Sequence, residues 1–202
     1  MDSPAEMDEG LFGYNKALGV ALGYRDLMTH LHSERVHDLA LMIAEDSDVD
    51  EAALGALKVA SSFHDVGKIG IPDHILMKST RLDAAEWETI KQHSEIGEQI
   101  LRSSGVGGYP VPDAARAIRH HHEHYDGGGY PDGLAGEDIP LCSRIIAIAD
   151  SYDAMAVTRA YHAARAHHEI MDIMVDETGR KFDPALMQIF CARIEHSPMR
   201  TD

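Results

Sequence analysis

The chain has 202 residues, 44% of them apolar, which suits one soluble domain with a single hydrophobic core. Thirty-four acidic side chains against 18 lysines and arginines leave a net charge of −16, which argues against a duplex nucleic-acid partner, since that needs a basic face to displace counterions. A small anionic ligand stays open, because bound cations can invert a local field. The longest apolar runs, such as Ile145-Ile146-Ala147-Ile148-Ala149, are far too short to cross a bilayer. The acidic start Met1–Gly10 carries no basic and apolar leader, so no membrane insertion and a cytoplasmic location are expected. Cys142 and Cys191 lack a Cys-x-x-Cys partner and read as reduced core thiols.

In chain order the pattern is helical almost throughout. Val36, Leu39, Ala40 and Ile43 mark one face of a helix running roughly from Tyr24 to Glu45. A second helix starts near Asp50, carries Leu54 and Leu57 and is expected to end at Gly67, with Pro72 forbidding an easy continuation. Asp83 followed by Glu86 resembles a capping box for a third helix, whose apolar side holds Trp87, Ile90, Ile96 and Ile100 with His93 among them. From about Asp113 a further helix carries Ala114, Ala117, Ile118 and His121. Residues 126–136 contain five glycines and a proline, which is the chemistry of a loop. Three more helices follow, over Leu141–Ala156, Ala166–Glu177 and Pro184–Glu195. No useful strand alternation or repeat is present, so the fold class is all-α, a helical bundle.

Fourteen histidines, nearly as many as all lysines and arginines together, are the unusual feature of the composition. Seven residues stand out as candidate metal ligands: His32, His64, Asp65, His93, His121, His122 and Asp150. They lie on five predicted helices or helix ends, so the fold must gather them. Imidazole with carboxylate suits Fe, Mn, Zn, Co or Ni and poorly suits Ca. The adjacent pair His64-Asp65 could serve one ion through the imidazole while the carboxylate bridges to a second. Two ions about 3.5–4 Å apart would activate a hydroxide and clamp the phosphoryl oxygens of an ester. His37, His74 and His196 read instead as solvated surface residues, and His120 and His124 project from other faces of their helix.

The order His32, His64-Asp65, His93, His121-His122, Asp150, together with the turn Gly129-Tyr130-Pro131, resembles the HD-GYP family of HD-domain metal phosphohydrolases. The likeness runs from about Leu31 to Phe190 and includes His64-Asp65-Val66-Gly67-Lys68-Ile69-Gly70-Ile71-Pro72-Asp73, Asp126-Gly127, Gly133-Leu134 and Phe182-Asp183-Pro184. It implies an HD-domain bundle over residues 26–197, with its glycine-rich loop near the metal site. Residues 1–25 would be an extension or linker remnant and residues 198–202 a tail. The implied activity is hydrolysis of cyclic di-GMP to pGpG, with GMP as the alternative final product, by a hydroxide activated between two divalent ions. Iron or manganese is expected there, with cobalt, nickel or zinc as substitutes.

By position, His32, His64, Asp65 and Asp150 match the family's first metal set, and His93, His121 and His122 the second, with Asp65 bridging. Asp65 and Lys68 would be the catalytic pair, the ammonium neutralising a phosphate oxygen as charge develops. Lys68, Tyr130, Arg159 and His162 would contact substrate. Tyr130 offers a ring for a guanine face and a hydroxyl for a phosphate, or else serves as a packed turn residue. Glu123 and Asp126 would fix the loop and orient ligand histidines, and Arg144 reads more as an ion-pair arginine than as a phosphate contact. Diguanylate cyclases or other signalling proteins, and a second copy of the chain, are the implied protein partners.

Two departures from the family bear on the site, while a third, Lys78-Ser79-Thr80 for the usual Lys-Pro-Gly, concerns only a loop. Some members carry a third-metal Glu four residues before the first histidine, where this chain has Met28, so a two-metal centre is expected. The family's Arg-Pro-Tyr-Arg is here Arg159-Ala160-Tyr161-His162, which exchanges a cation for a mostly neutral imidazole. The rival readings are another HD-domain hydrolase, such as a nucleotidase or a guanosine tetraphosphate hydrolase, a di-iron oxygenase on the same scaffold, and a weakly active or inactive regulatory module that binds nucleotide or partner proteins.

Overall fold

The computed structural model describes residues 27–103, 110–157 and 164–201. Among these residues there is no strand beyond an isolated bridge between Thr178 and Phe182, and the expected all-α class holds. No described helix is long and apolar enough to cross a membrane.

Helix α1 (Leu27–Ala44) buries the expected Val36, Leu39, Ala40 and Ile43. Helix α2 (Glu51–Phe63) begins where the Asp50 side chain accepts the Ala53 N–H at 2.7 Å, and buries Ala56, Leu57 and Ala60. It stops at Phe63, four residues before the expected end at Gly67, and a short 3₁₀ turn over Val66–Gly70 follows. The cause is a close approach. A Cβ on Gly67 would lie 1.8 Å from the His93 carbonyl oxygen and 2.6 Å from the Gly97 nitrogen, so the chain leaves the helical path to lay bare backbone against the next layer.

After the single turn α3 (Asp73–Leu76), helix α4 (Ala84–Lys91) opens on the expected capping box: Asp83 accepts from Ala85 and Glu86 N–H, and Glu86 accepts from Asp83 N–H. The helix expected to continue through Ile100 is interrupted at Gln92, and α5 (His93–Arg102) follows directly. Trp87, expected on the apolar side, is 48% exposed. Helix α6 (Val111–His120) buries Ala114, Ala117 and Ile118 completely. A loop and a 3₁₀ turn (Gly136–Asp138) lead to α7 (Leu141–Ala156), and α8 (His167–Asp176) and α9 (Pro184–Ile194) close the bundle.

Helix α7 is the centre of the domain. Ile145, Ile146, Ile148, Ala149 and Tyr152 are all fully or nearly fully buried, so the helix is apolar nearly all round, as a core helix must be. It packs against α1, α2, α6, α8 and α9, and α5 packs against α6 and the Val66–Gly70 turn. Arg144 is structural: its guanidinium reaches Asp183 at 2.5 Å and the Ile139 carbonyl at 3.0 Å, while Asp183 also caps α9. Both cysteines are free, Cys142 buried and Cys191 partly so.

Candidate metal centre

Three of the histidines singled out from sequence use one local device. His64 follows the end of α2, His93 the end of α4 and His121 the end of α6. Each donates its Nδ1–H to the carbonyl three residues earlier, Ser61 at 2.8 Å, Ile90 at 2.7 Å and Ile118 at 2.6 Å. Those carbonyls belong to last helical turns, which leave acceptors without intrahelical partners. The bond fixes the tautomer and leaves Nε2 as a bare lone pair aimed away from the helix end. The consequence is electrostatically awkward for the protein alone. His93 and His121 face each other Nε2 to Nε2 at 3.4 Å, and the buried His64 Nε2 has no hydrogen-bond partner among the described residues. A shared cation relieves both features, so the donor set fits metal.

The candidate ligands fall into two groups. One ring nitrogen each from His93, His121 and His122 lie within 4.8 Å of one another, and the same holds for His32, His64 and Asp150 through single ligand atoms. Asp65 stands between them. Its Oδ2 is 3.6 Å from His64 Nε2 and 3.8 Å from His32 Nε2, and its Oδ1 is 3.6 Å from His93 Nε2. His32 is oriented by a residue that sequence reasoning missed: its Nδ1–H donates to Asp153 Oδ2 at 2.6 Å, leaving Nε2 3.0 Å from Asp150 Oδ1. Arg35 holds Asp153 from the other side with two hydrogen bonds of 2.6 and 3.0 Å. The signal was available, since Asp153 is one helical turn beyond Asp150.

Burial sets the charge states. It depresses the imidazoles of His64, His93 and His122, and takes His121 down to about 3, with its imidazole neighbours adding to the effect for His121 and His122. Neutral imidazole is the form that binds metal. Burial also opposes charge on His32, yet the bonds to Asp150 and Asp153 outweigh it and raise this group to about 9. A cation bound at His32 Nε2 therefore competes with a proton. Burial would push Asp65 and Asp150 up, but Lys68 and the imidazoles around Asp65, and His32 beside Asp150, hold both carboxyls well below the usual range.

Lys68 Nζ lies 2.5 Å from Asp65 Oδ2, at the edge of this cluster. Tyr130 packs its ring against His122, with centroids 4.9 Å apart, and Lys91 approaches that ring at 5.6 Å. The loop carrying Tyr130 is pinned to α6. Glu123 Oε1 accepts the N–H groups of Asp132 (2.7 Å) and Gly133 (3.0 Å), and Asp132 accepts from Arg119 twice at 2.8 Å and from His120 at 2.8 Å. Gly129 allows the crossing, because a Cβ there would sit 2.2 Å from the His124 nitrogen. Glu123 and Asp126 thus hold the loop as expected, the latter through Gly128 N–H at 2.8 Å, but no bond joins either to a ligand histidine ring. His120 is buried against Asp132 and His37 is half-buried against Ser61 and Ser62, whereas His74 and His196 are exposed as expected. Arg159 and His162 lie outside the described residues, as does the side chain of Met28.

This all-helical domain gathers five histidines and two aspartates into two neighbouring groups whose ligand atoms could hold metal ions. This chain belongs to the HD domain family, whose model matches residues 24–186, and the Gly129-Tyr130-Pro131 turn after His121-His122 marks its HD-GYP branch. It is 38% identical over 92% of its length to a cyclic di-GMP phosphodiesterase of Thermotoga maritima, covering 50% of that protein. It is also 38% identical over 91% of its length to a 3'3'-cGAMP-specific phosphodiesterase of Vibrio cholerae, covering 34% of it. The chain thus spans half or less of the length of these curated relatives. Among solved structures, an HDG"Y"P protein from Bdellovibrio bacteriovorus shares the fold with a TM-score of 0.64 at 18% identity, over 82% of this chain and 52% of that one.

Proposed function

We propose that this domain is a metal-dependent phosphodiesterase that opens the cyclic dinucleotide cyclic di-GMP to linear pGpG. The observation that carries the reading is Asp65, one carboxylate facing two histidine groups through its two oxygens while Lys68 sits against it. His32, His64, Asp65 and Asp150 would hold one divalent ion, and His93, His121 and His122 with Asp65 a second, with iron or manganese the proposed occupants. Bound there, such ions supply Lewis acidity, lowering the pKa of water to give a nucleophile near neutral pH and polarising phosphoryl oxygens. The protein's own part is orientation and charge. Backbone carbonyls and Asp153 fix the imidazole faces. Lys68 places a positive charge where a non-bridging phosphate oxygen gains negative charge. The names of the two curated relatives, one acting on cyclic di-GMP and one on 3'3'-cGAMP, support a cyclic dinucleotide as the substrate class.

The test is to purify the protein without air, assay its metals, incubate it with cyclic di-GMP and resolve products by chromatography. Hydrolysis in step with about two ions per chain, lost in a His64→Ala/Asp65→Ala variant, is the expected result. Absence of turnover with Fe, Mn, Co or Ni loaded would overturn it.

A further inference from the structure

Beside His122 and Asp150 a cavity of about 320 Å³ opens between α7 and the α8–α9 connection. That is at the low end for ligand sites, which run from about 300 to 1,000 Å³, and gives room for one base rather than a whole dinucleotide. Its wall is apolar, with Ala154, Met155, Ile173 and Phe182, and its polar groups are Ser151, Glu177 and Lys181. Lys181 is held in place: its Nζ donates to Ser151 Oγ at 2.9 Å and lies 5.1 Å over the Phe182 ring. Glu177 is held by Arg180, which donates to Oε1 at 2.6 Å. The segment carrying both is tied to the loop after His122, since Arg180 and Lys181 carbonyls accept the N–H groups of Asp126 (2.9 Å) and Tyr125 (3.1 Å). An ammonium bonded to Ser151 and a carboxylate bonded to Arg180 therefore border a largely apolar cavity next to the candidate metal centre.

We propose that this cavity receives a guanine base of the substrate, with Lys181 donating to O6 or N7 and the Glu177 carboxylate accepting from N1–H and the N2 amino group. The inference rests on the cyclic dinucleotide reading of the neighbouring centre. Guanine presents acceptors on one edge and donors on the next, which is the complement of an ammonium beside a carboxylate. Adenine has no donor at N1 and no N2 amino group, so it offers the Glu177 carboxylate only its single N6 amino group, against the paired N1–H and N2 donors of guanine. The slot is thus a specificity element that favours guanine over adenine next to the scissile phosphate.

The experiment compares GMP with AMP by calorimetric titration of the protein as purified, for wild type, Glu177→Gln and Lys181→Met, with circular dichroism to verify folding. Wild type should prefer GMP by roughly five- to a hundredfold, and the preference should collapse towards unity in Glu177→Gln. Lys181→Met should weaken GMP more than AMP. Equal affinity for the two nucleotides in wild type, or an unchanged preference in both folded variants, would overturn the proposal. Hydrolysis of cyclic di-GMP and cyclic di-AMP is assayed alongside. A GMP preference without hydrolysis of either overturns the phosphodiesterase reading and leaves the guanine slot standing. Hydrolysis with an identical base preference in wild type and both variants overturns the slot and leaves the enzyme.

Discussion

Asp153 accepts a 2.6 Å hydrogen bond from His32 Nδ1, so that the opposite ring nitrogen faces Asp150 at 3.0 Å. This carboxylate–imidazole relay fixes which nitrogen of His32 points inward, and Arg35 fixes the carboxylate in turn. Such outer partners typically contribute 10–100-fold to metal affinity. Asp153→Asn is therefore expected to weaken metal binding by about that factor, measured by competition with a chelator. The helical circular dichroism signal should be retained. Wild-type affinity in this variant would show that His32 is oriented by something else.

The 1.8 Å approach of a hypothetical Gly67 Cβ to the His93 carbonyl makes Gly67→Ala a disruptive change despite its size. The turn after Asp65 and the first turn of α5 must separate, at a cost of about 2–4 kcal/mol. Urea unfolding should show that loss, and metal content should fall with it because His93 moves away from Asp65. At Gly136, by contrast, an added Cβ meets nothing within 4 Å, and the only penalty is the left-handed backbone at φ +57°. Gly136→Ala should cost about 1 kcal/mol and leave metal content unchanged.

Asp132 clamps the loop that carries Tyr130, through Arg119 and His120. Asp132→Ala removes the clamp while the ligand histidines keep their backbone bonds. Metal content should stay at the wild-type level, and kcat/KM for cyclic di-GMP should fall by roughly ten- to a hundredfold, as expected for a misplaced contact near the reacting centre. A fall in metal content of the same size would place Asp132 in ligand support instead.

Burial pushes the Cys142 thiol up to about 11, with the charge of Asp113 adding to it, against an ordinary value of 9. The unfolded chain then releases this proton first as pH rises, so the thiol's contribution to stability is intact below pH 9 and is lost between 9 and about 11. The size of that loss is about 2–3 kcal/mol. Denaturant midpoints measured from pH 8 to 11 should fall more steeply in wild type than in Cys142→Ala, and parallel slopes would contradict the assignment.

The periodicity of Val36, Leu39, Ala40 and Ile43, and of Ala114, Ala117 and Ile118, gave the buried faces of α1 and α6 directly, because a helix phase is a local property. The Asp83–Glu86 cap was legible for the same reason. The interruption at Gln92 was not, since no glycine or proline marks it; just beyond it His93 bonds the Ile90 carbonyl and faces Asp65. Trp87 falls on the apolar side of the sequence pattern, yet the helix that carries it buries no residue and leaves it half exposed. The seven candidate ligands could be ordered along the chain, but their convergence depends on the Gly67 contact, which only the packed structure displays. Asp153 passed unnoticed because an acid one turn past another looks like an ordinary helix side chain. The pairing of His120 with Asp132 depends on a loop conformation that no periodicity encodes.

Both cysteines of this domain are free, so no covalent cross-link joins its parts. The seven candidate ligands nevertheless come from α1, the end of α2, the start of α5, the end of α6 and α7, stretches far apart along the chain. An ion held among them would work as a removable staple. While it is in place, α5 cannot peel from the bundle unless the His93 bond is released, and the excursions of separate helices become one shared excursion. If the centre holds an ion as proposed, the lifetime of the folded domain against proteases would follow the free metal around it, and a chelator would shorten that lifetime in limited proteolysis.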